Sequence, residues 1–420
     1  MKTQLMVIDG VRTPFCRAGT SLASFDAVEL GRIAVSALLT KTGIDPHGVD
    51  ETVFGCVGQP ANAQNIARVI ALRAGIPECK PAMTVHRNCA SGLEALTTAY
   101  DKMCAGHGDV FIVGGTESMS QMPLFFSPQA AEKFTLLSKA RSFGSRVGAA
   151  AHFRLSDFAP VAGLKLGLTD PVSELNMGET AEVLVRDFGI SREAQDAFAM
   201  RSHLRAAGKP DPNIITVYDN GKAITADNGI RPDSSMEKLA KLPPLFDRKC
   251  GSVTAGNSSQ VTDGAVALLV ATEEKARQMG WTPMGRLVDY AFTGCDPKRM
   301  GLGPVRAMDA VLHRTHTRLA EAGVLEINEA FAAQVLAVMK CVQDKTAARA
   351  CGLEEPLGEI DPAKLNVRGG AIALGHPVGA TGARLVLSAL QQLRDTGERR
   401  ALVSLCIGGG QGGAAILESV

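Results

Sequence analysis

Aromatic residues with a polar end are scarce in this 420-residue chain, which has one Trp and three Tyr. Neither charge is in surplus: 44 Lys and Arg stand against 43 Asp and Glu. That balance lacks the basic excess that wholesale nucleic-acid binding requires, so no nucleic-acid partner is expected. The ten cysteines include no C-x-x-C pair and no clustered histidines, which speaks against zinc and iron–sulfur sites. No apolar run approaches the ~18 residues of a membrane span. The start, Leu5-Met6-Val7-Ile8 then Asp9-Gly10, has neither the charged region nor the cleavage site of a signal peptide. A chain of this size needs no disulfide staples, so reduced thiols, most of them small buried hydrophobes, and a cytoplasmic location are expected. What is abundant is apolar residues, at 45%, and glycine, at 44 residues. Together with the length, this predicts a globular chain of two to three domains, with many tight turns or backbone approaches to a ligand.

Short apolar runs alternate with helical periodicity in the first part. Strands are expected at 5–9, 52–57, 82–86 and 109–115, with helices at 26–42, 65–74 and 90–105 between them. The last 140 residues repeat the order, with strands at 286–292, 324–327, 367–372, 401–407 and 413–417 and helices at 306–321, 330–342 and 379–394. The run 264–272 is the matching last strand of the first half. Such alternation predicts an α/β fold with a largely parallel sheet and helices on both faces. The matched order suggests an internal duplication. Cys89-Ala90-Ser91-Gly92 opens a helix leading to Val110–Val113, as Gly379-Ala380-Thr381-Gly382 opens one leading to Leu402–Ile407.

Between the halves the rhythm is lost. Here Lys139, Arg141, Arg146, Arg154 and Lys165 interleave with Leu136, Leu137, Phe143, Val147, Phe153 and Leu155. The pattern suits a surface that meets a membrane or a partner protein. An ordinary amphipathic helix with a solvated charged side is the commoner outcome for such a pattern.

Four segments could carry chemistry. In Val85-His86-Arg87-Asn88-Cys89-Ala90-Ser91-Gly92 the cysteine follows a strand at a helix opening, where the helix dipole favours the thiolate and free N–H groups could hold an oxyanion. In Gly375-His376-Pro377 the histidine sits on a rigid turn before a helix, a placement that suits a general base. Cys406, in Leu405-Cys406-Ile407-Gly408-Gly409-Gly410, ends a strand where open α/β sheets place their sites. Asn328, in Asn328-Glu329-Ala330-Phe331, reads first as a helix N-cap. Two thiols and a histidine suit acyl transfer coupled to carbon–carbon bond chemistry: a thioester forms on one thiol, and another group moves the proton beside a second thioester.

These segments together resemble the thiolase family, and the likeness runs from Val11-Arg12-Thr13-Pro14-Phe15 through Gly114-Gly115-Thr116-Glu117-Ser118-Met119 to the C-terminal glycines. The resemblance implies two duplicated α/β halves in a layered α-β-α-β-α arrangement. Residues 1–118 and 251–280 would form the first half, 119–250 an inserted loop domain, and 281–420 the second half. It also implies a homodimer or homotetramer, with coenzyme A and acyl-CoA as substrates and no resident cofactor. Cys89 then corresponds to the acylated nucleophile, His376 to its base and Cys406 to the acid/base at the α-carbon. Asn328 would hold a water in one oxyanion site, and the N–H groups of Cys89 and Gly408 would form the other. Met177 would line the acyl pocket; Phe246 and Arg231 would lie at the coenzyme, with Ala255 and Ser259 against its pantetheine. Short-chain biosynthetic members commonly have His where Asn176 stands. The stretches 154–160, 246–249 and 289–293 are similar instead to the thiolase subunit of trifunctional fatty-acid oxidation complexes, which often carries His at the position of Asn328. A hydratase–dehydrogenase subunit is therefore a possible partner. The expected activity is that of a 3-ketoacyl-CoA thiolase. The alternatives are an acetoacetyl-CoA thiolase, a carrier-protein ketosynthase (disfavoured by Cys406) and a non-catalytic scaffold subunit, against which the retained Cys89, His376 and Cys406 argue.

Overall fold

The computed structural model describes residues 3–420 and divides them into two compact units, Met1–Gln121 with Asp170–Val420, and Met122–Thr169. In the larger unit nine strands form the path of one sheet: β1 (Leu5–Arg12), β2 (Glu51–Gly55), β3 (Ala82–Val85), β4 (Val110–Ser118), β5 (Thr262–Thr272), β6 (Gly285–Gly294), β7 (Val324–Ile327), β8 (Arg400–Ile407) and β9 (Gln411–Glu418). Their order is β7-β8-β9-β6-β1-β5-β4-β2-β3, and the two-residue strand Cys16–Arg17 pairs with β5.

The duplication is visible in this order. β2, β4, β5 and β1 of the first half correspond to β7, β8, β9 and β6 of the second, with the same signs: parallel, then antiparallel, then antiparallel. The halves join where Leu5–Val7 pairs with Gly285–Leu287. The sheet is therefore mixed, not largely parallel. The cause in the second half is a hairpin between β8 and β9, turned by Gly409 and Gly410 at φ +87° and +78°, conformations that favour glycine.

The strand expected at 367–372 is absent. Its counterpart shrinks to a single parallel bridge between Leu325 and Leu365, after which Asn366 turns to φ +48°. The Asn366 side chain replaces the ladder: its Oδ1 accepts from Ile327 N–H and its Nδ2 donates to Ile327 O, each at 2.9 Å. Ala371–Leu374 then forms one helical turn.

Helix starts follow their caps. Asp26 accepts from Glu29 N–H ahead of Ala27–Thr42, and Asn65 from Arg68 N–H ahead of Ile66–Arg73. The helix expected at 306–321 spans Gly303–Thr315 and stops where His316 adopts φ +49°. Three apolar cores separate the layers. The helices Ser91–Cys104 and Val378–Thr396 share one core with both halves of the sheet. Ala27–Thr42 and Ile66–Arg73 cover the outer face of the first half; Gly303–Thr315 and Ala332–Gln343 cover that of the second. The central helices cross closely. A Cβ on Gly92 would lie 2.7 Å from Ala383 N, and one on Gly382 would overlap Leu93 N.

The 122–169 unit holds the helices Pro128–Lys139 and Phe143–Ala150. Phe134 packs against Phe126 and Phe153 at 4.8 Å between ring centroids, and Lys133 pairs with Asp157 at 2.7 Å. Its six basic side chains face only two acidic ones, Glu132 and Asp157. Leu136, Phe143, Val147 and Leu155 are exposed, Phe143 at 85% and Leu155 at 94%.

Candidate functional site

β3 leads into the turn that carries Cys89. Asn88 takes φ +43°, unusual for a residue with a side chain, and the turn is pinned from two sides. Ser91 Oγ accepts from Arg87 N–H at 3.0 Å and donates to Asn88 O at 2.7 Å. Asn88 Nδ2 donates to Gly408 O at 2.7 Å, tying the turn to the glycine loop of the other half. The backbone N–H of Gly408 in turn reaches the Cys89 thiol. The dipole argument for a lowered thiol pKa does not hold. Burial pushes Cys89 up, more than the Gly408 N–H pulls it down, and Glu117 adds to the rise. Cys89 is a thiol at rest and needs a base.

His376 offers an unprotonated imidazole. Burial, then the Arg384 charge, lowers its pKa to about 3, so the imidazole is neutral. Its Nδ1 lies 2.6 Å from Thr381 Oγ1, which itself donates to Pro377 O at 3.1 Å. One hydroxyl proton can serve both contacts only if Nδ1 carries the imidazole proton and donates to Thr381. Nε2 is left with its lone pair. The ring is further held through His376 N–H, which donates to Thr262 Oγ1 at 3.1 Å.

Cys406 is the penultimate residue of β8, 1% exposed, in an apolar cluster with Met300 and Phe331 and with the half-buried Met177 and Phe246. Burial raises its pKa well above the ordinary thiol value, and a charge on Cys89 raises it further. Met177 opens the helix Met177–Phe188, with its sulfur 3.5 Å from the point a Cβ on Gly408 would occupy. Asn176, the departure from the short-chain pattern, is the N-cap of this helix: it accepts from Gly178 N–H at 3.0 Å while Glu179 accepts from Asn176 N–H at 2.6 Å. Phe246 stacks edge-on to Phe331 at 6.1 Å.

Asn328 is not a helix cap. The helix begins at Ala332 after Phe331, and Asn328 N–H pairs with Ser404 O at 2.9 Å. Its side chain is fully buried, and among the described residues neither Oδ1 nor Nδ2 has a hydrogen-bond partner. A buried amide left unpaired in this way points to a ligand or water. Glu329 beside it is clamped by Ser202 Oγ at 2.6 Å and Asn366 Nδ2 at 2.8 Å.

Cys89, Gly408, Met177, Cys406 and Phe246 thus form one connected group. Ser259 joins it through its N–H to Ala330 O at 2.9 Å. Ala255 and Arg231 are exposed and stand outside the apolar cluster; Arg231 is anchored by its backbone N–H to His203 Nδ1 at 3.2 Å. Sequence reasoning gave no role to Glu117, Thr381, Asn88 or Asn366. Glu117 accepts from the N–H groups of Val57, Gly58 and Gly379 at 3.1, 2.7 and 2.8 Å, and so fastens the His376 segment to the first half. The signal available for it was an acidic residue near the end of a strand whose nine residues are all buried. The expectation that most cysteines are buried also fails: four are buried, three half-buried and three exposed. Among the described residues no group of His, Cys, Asp and Glu could hold a metal ion, and no helix is long and apolar enough to cross a membrane.

Two like α/β halves, one supplying a thiol and the other a thiol and a neutral histidine, define a duplicated fold built around thiol chemistry. Family comparison agrees with that reading: the thiolase N-terminal domain matches residues 5–274 and the thiolase C-terminal domain residues 281–419. The chain belongs to the thiolase family. It is 40% identical to the 3-ketoacyl-CoA thiolase of Yersinia enterocolitica and 41% identical to that of Yersinia pestis, over 99% of this chain and 97% of each relative. Among solved structures it is similar to the Bacillus anthracis acetyl-CoA acetyltransferase, with a TM-score of 0.86 and 34% identity over 100% of this chain and 99% of that one. It is also similar to human mitochondrial 3-ketoacyl-CoA thiolase in complex with CoA, with a TM-score of 0.85 and 36% identity over 100% and 98%.

Proposed function

We propose that the protein is a 3-ketoacyl-CoA thiolase, cleaving a 3-ketoacyl-CoA with coenzyme A to acetyl-CoA and a shortened acyl-CoA. The observation that carries this is the bond between the Cys89 turn and the glycine turn after Cys406, made by Asn88 Nδ2 to Gly408 O across the two halves, together with the close crossing of the helices that follow Cys89 and His376. In this reading His376 Nε2 takes the proton of Cys89, and the thiolate attacks the 3-keto carbon. The bond between C2 and C3 breaks, and the electron pair passes into the enolate of acetyl-CoA, which Cys406 protonates. Coenzyme A then attacks the acyl-Cys89 thioester, with Cys406 taking its proton, and the displaced Cys89 thiolate recovers the proton held on His376. The N–H groups of Cys89 and Gly408 receive one oxyanion, and a water held by Asn328, together with His376, receives the other. Met177 and Phe246 would line the acyl chain, and Arg231, Ala255 and Ser259 would contact the coenzyme, which serves as substrate with no resident cofactor.

Thiolysis rates measured across ketoacyl chain lengths, with acyl-Cys89 trapped by mass spectrometry, test the reading. Activity confined to the four-carbon substrate would instead favour an acetoacetyl-CoA thiolase, the reading that the likeness to the Bacillus acetyltransferase supports. No labelling of Cys89 at all would overturn both. We also assign to the chain a cytoplasmic location, a homo-oligomeric state and, on the exposed apolar and basic side chains of the 122–169 unit, a face for a membrane or a hydratase–dehydrogenase subunit.

A further inference from the structure

One pair of thiols takes no part in that chemistry. Cys341 lies in the last turn of the helix Ala332–Gln343, and Cys351 directly follows the helix Lys345–Ala350. Asp344 ends the first helix and caps the second, its side chain accepting from Ala347 N–H at 2.7 Å. The chain folds back over that junction so that residues ten apart bring their sulfurs to 3.0 Å. Cys341 is buried, whereas Cys351 is half-buried beside an exposed turn at Gly352, φ +80°. Access and reactivity therefore fall on Cys351. Its thiolate is stabilised by the S–H of Cys341, which lowers the pKa of Cys351 and raises that of Cys341.

We propose that Cys341 and Cys351 are a redox-active dithiol, a modification site that low-molecular-weight disulfides convert to an intramolecular disulfide. The Cys351 thiolate attacks one sulfur of the small disulfide, forming a mixed disulfide and releasing one small thiolate. That thiolate takes the proton of Cys341, and the Cys341 sulfur then attacks Cys351 Sγ and displaces the second small thiolate, which is protonated by solvent. Two electrons and two protons leave the protein, and two small thiols are formed. Closing the bond asks the sulfurs to approach by about 1 Å, which the junction at Asp344 can supply by a small tilt of the short second helix.

The test treats the whole protein with oxidised glutathione, alkylates the remaining thiols and maps the peptides. Cys341 and Cys351 should both lose alkylation, appear as one cross-linked peptide pair, and regain alkylation after reduction. The exposed Cys79, Cys104 and Cys250 should carry glutathione instead. Cys341→Ser should retain a stable glutathione adduct on Cys351, and Cys351→Ser should leave Cys341 unmodified. Both variants should keep the untreated thiolysis rate within about twofold, which shows that they fold. Full alkylation of Cys341 and Cys351 once the exposed cysteines have reacted would overturn the proposal. So would a glutathione adduct that persists on Cys351 in the unaltered protein.

Discussion

Thr381 decides which nitrogen of His376 is free, and no local feature of the sequence singled it out. Replacing it with Val removes the acceptor for Nδ1–H, so the imidazole proton is no longer fixed away from Nε2. Thr381→Val should slow acylation of Cys89 on the order of 10²-fold, the lower end of what a positioned base contributes, with KM for coenzyme A little changed. Rapid-quench measurement of the acyl-enzyme burst checks this, and an unchanged burst rate would remove Thr381 from that role. A second expectation concerns pH. A thiol whose pKa is raised stays protonated below that value, so its thiolate fraction climbs tenfold per pH unit until the raised pKa is reached. Alkylation of Cys89 in the free enzyme should therefore keep rising beyond pH 8.5. A plateau near pH 6 would mean a resting thiolate–imidazolium pair. Cys89, His376 and Cys406 were legible in the sequence because glycines and strand ends mark them locally. Glu117 and Thr262 were not, because what they hold, the backbone of Gly379 and His376, lies 262 and 114 residues away.

Among the elements, the helices Ser91–Cys104 and Val378–Thr396 place Cys89 and His376 at neighbouring N-terminal ends. A methyl group at Gly382 would meet the backbone of Leu93 and force the helices apart. Gly382→Ala should cost about 1–3 kcal/mol of stability by overpacking and lower kcat more than it raises KM. Denaturant midpoints and steady-state kinetics would show both; wild-type kcat would mean that the crossing tolerates separation. The Val378–Thr396 helix is also tied to β7 by a fully buried ion pair, Arg384 with Glu326 at 2.9 Å, supported by Gln392 at 2.7 Å. Glu326→Ala leaves the Arg384 charge unpaired and should cost roughly 3–5 kcal/mol, whereas replacing both partners with Met should cost far less. Equal losses in the two variants would refute the stranded-charge account. The elements themselves were largely readable from periodicity and caps. The missing strand at 367–372 was not, since its apolar residues look the same whether they extend a ladder or turn inward, and only the contact of Asn366 with Ile327 settles it.

For the molecule as a whole, the two units differ in character. The larger one buries its large apolar side chains in continuous cores and pairs buried charges such as Arg384 and Glu326, whereas the smaller carries large apolar side chains outside and a basic surplus with them. Reversing Lys139, Arg141 and Arg146 to Glu should weaken association with vesicles containing anionic lipid, or with a partner subunit, and spare turnover in solution. Equal loss of both would point to folding. The loss of rhythm between the halves marked a change of character in the sequence; the exposure of Phe143 and Leu155 could not be seen without the fold.

Because the glycine turn at 408–410 belongs to one half and the Cys89 turn bonded to it belongs to the other, neither half owns the whole group of residues gathered there. Chemistry here is a property of the seam. A chain cut in the short link at residues 281–284 would be inert as separated pieces, and its activity would return only as fast as the pieces docked. Turnover would then serve as a clock for assembly, read without any label.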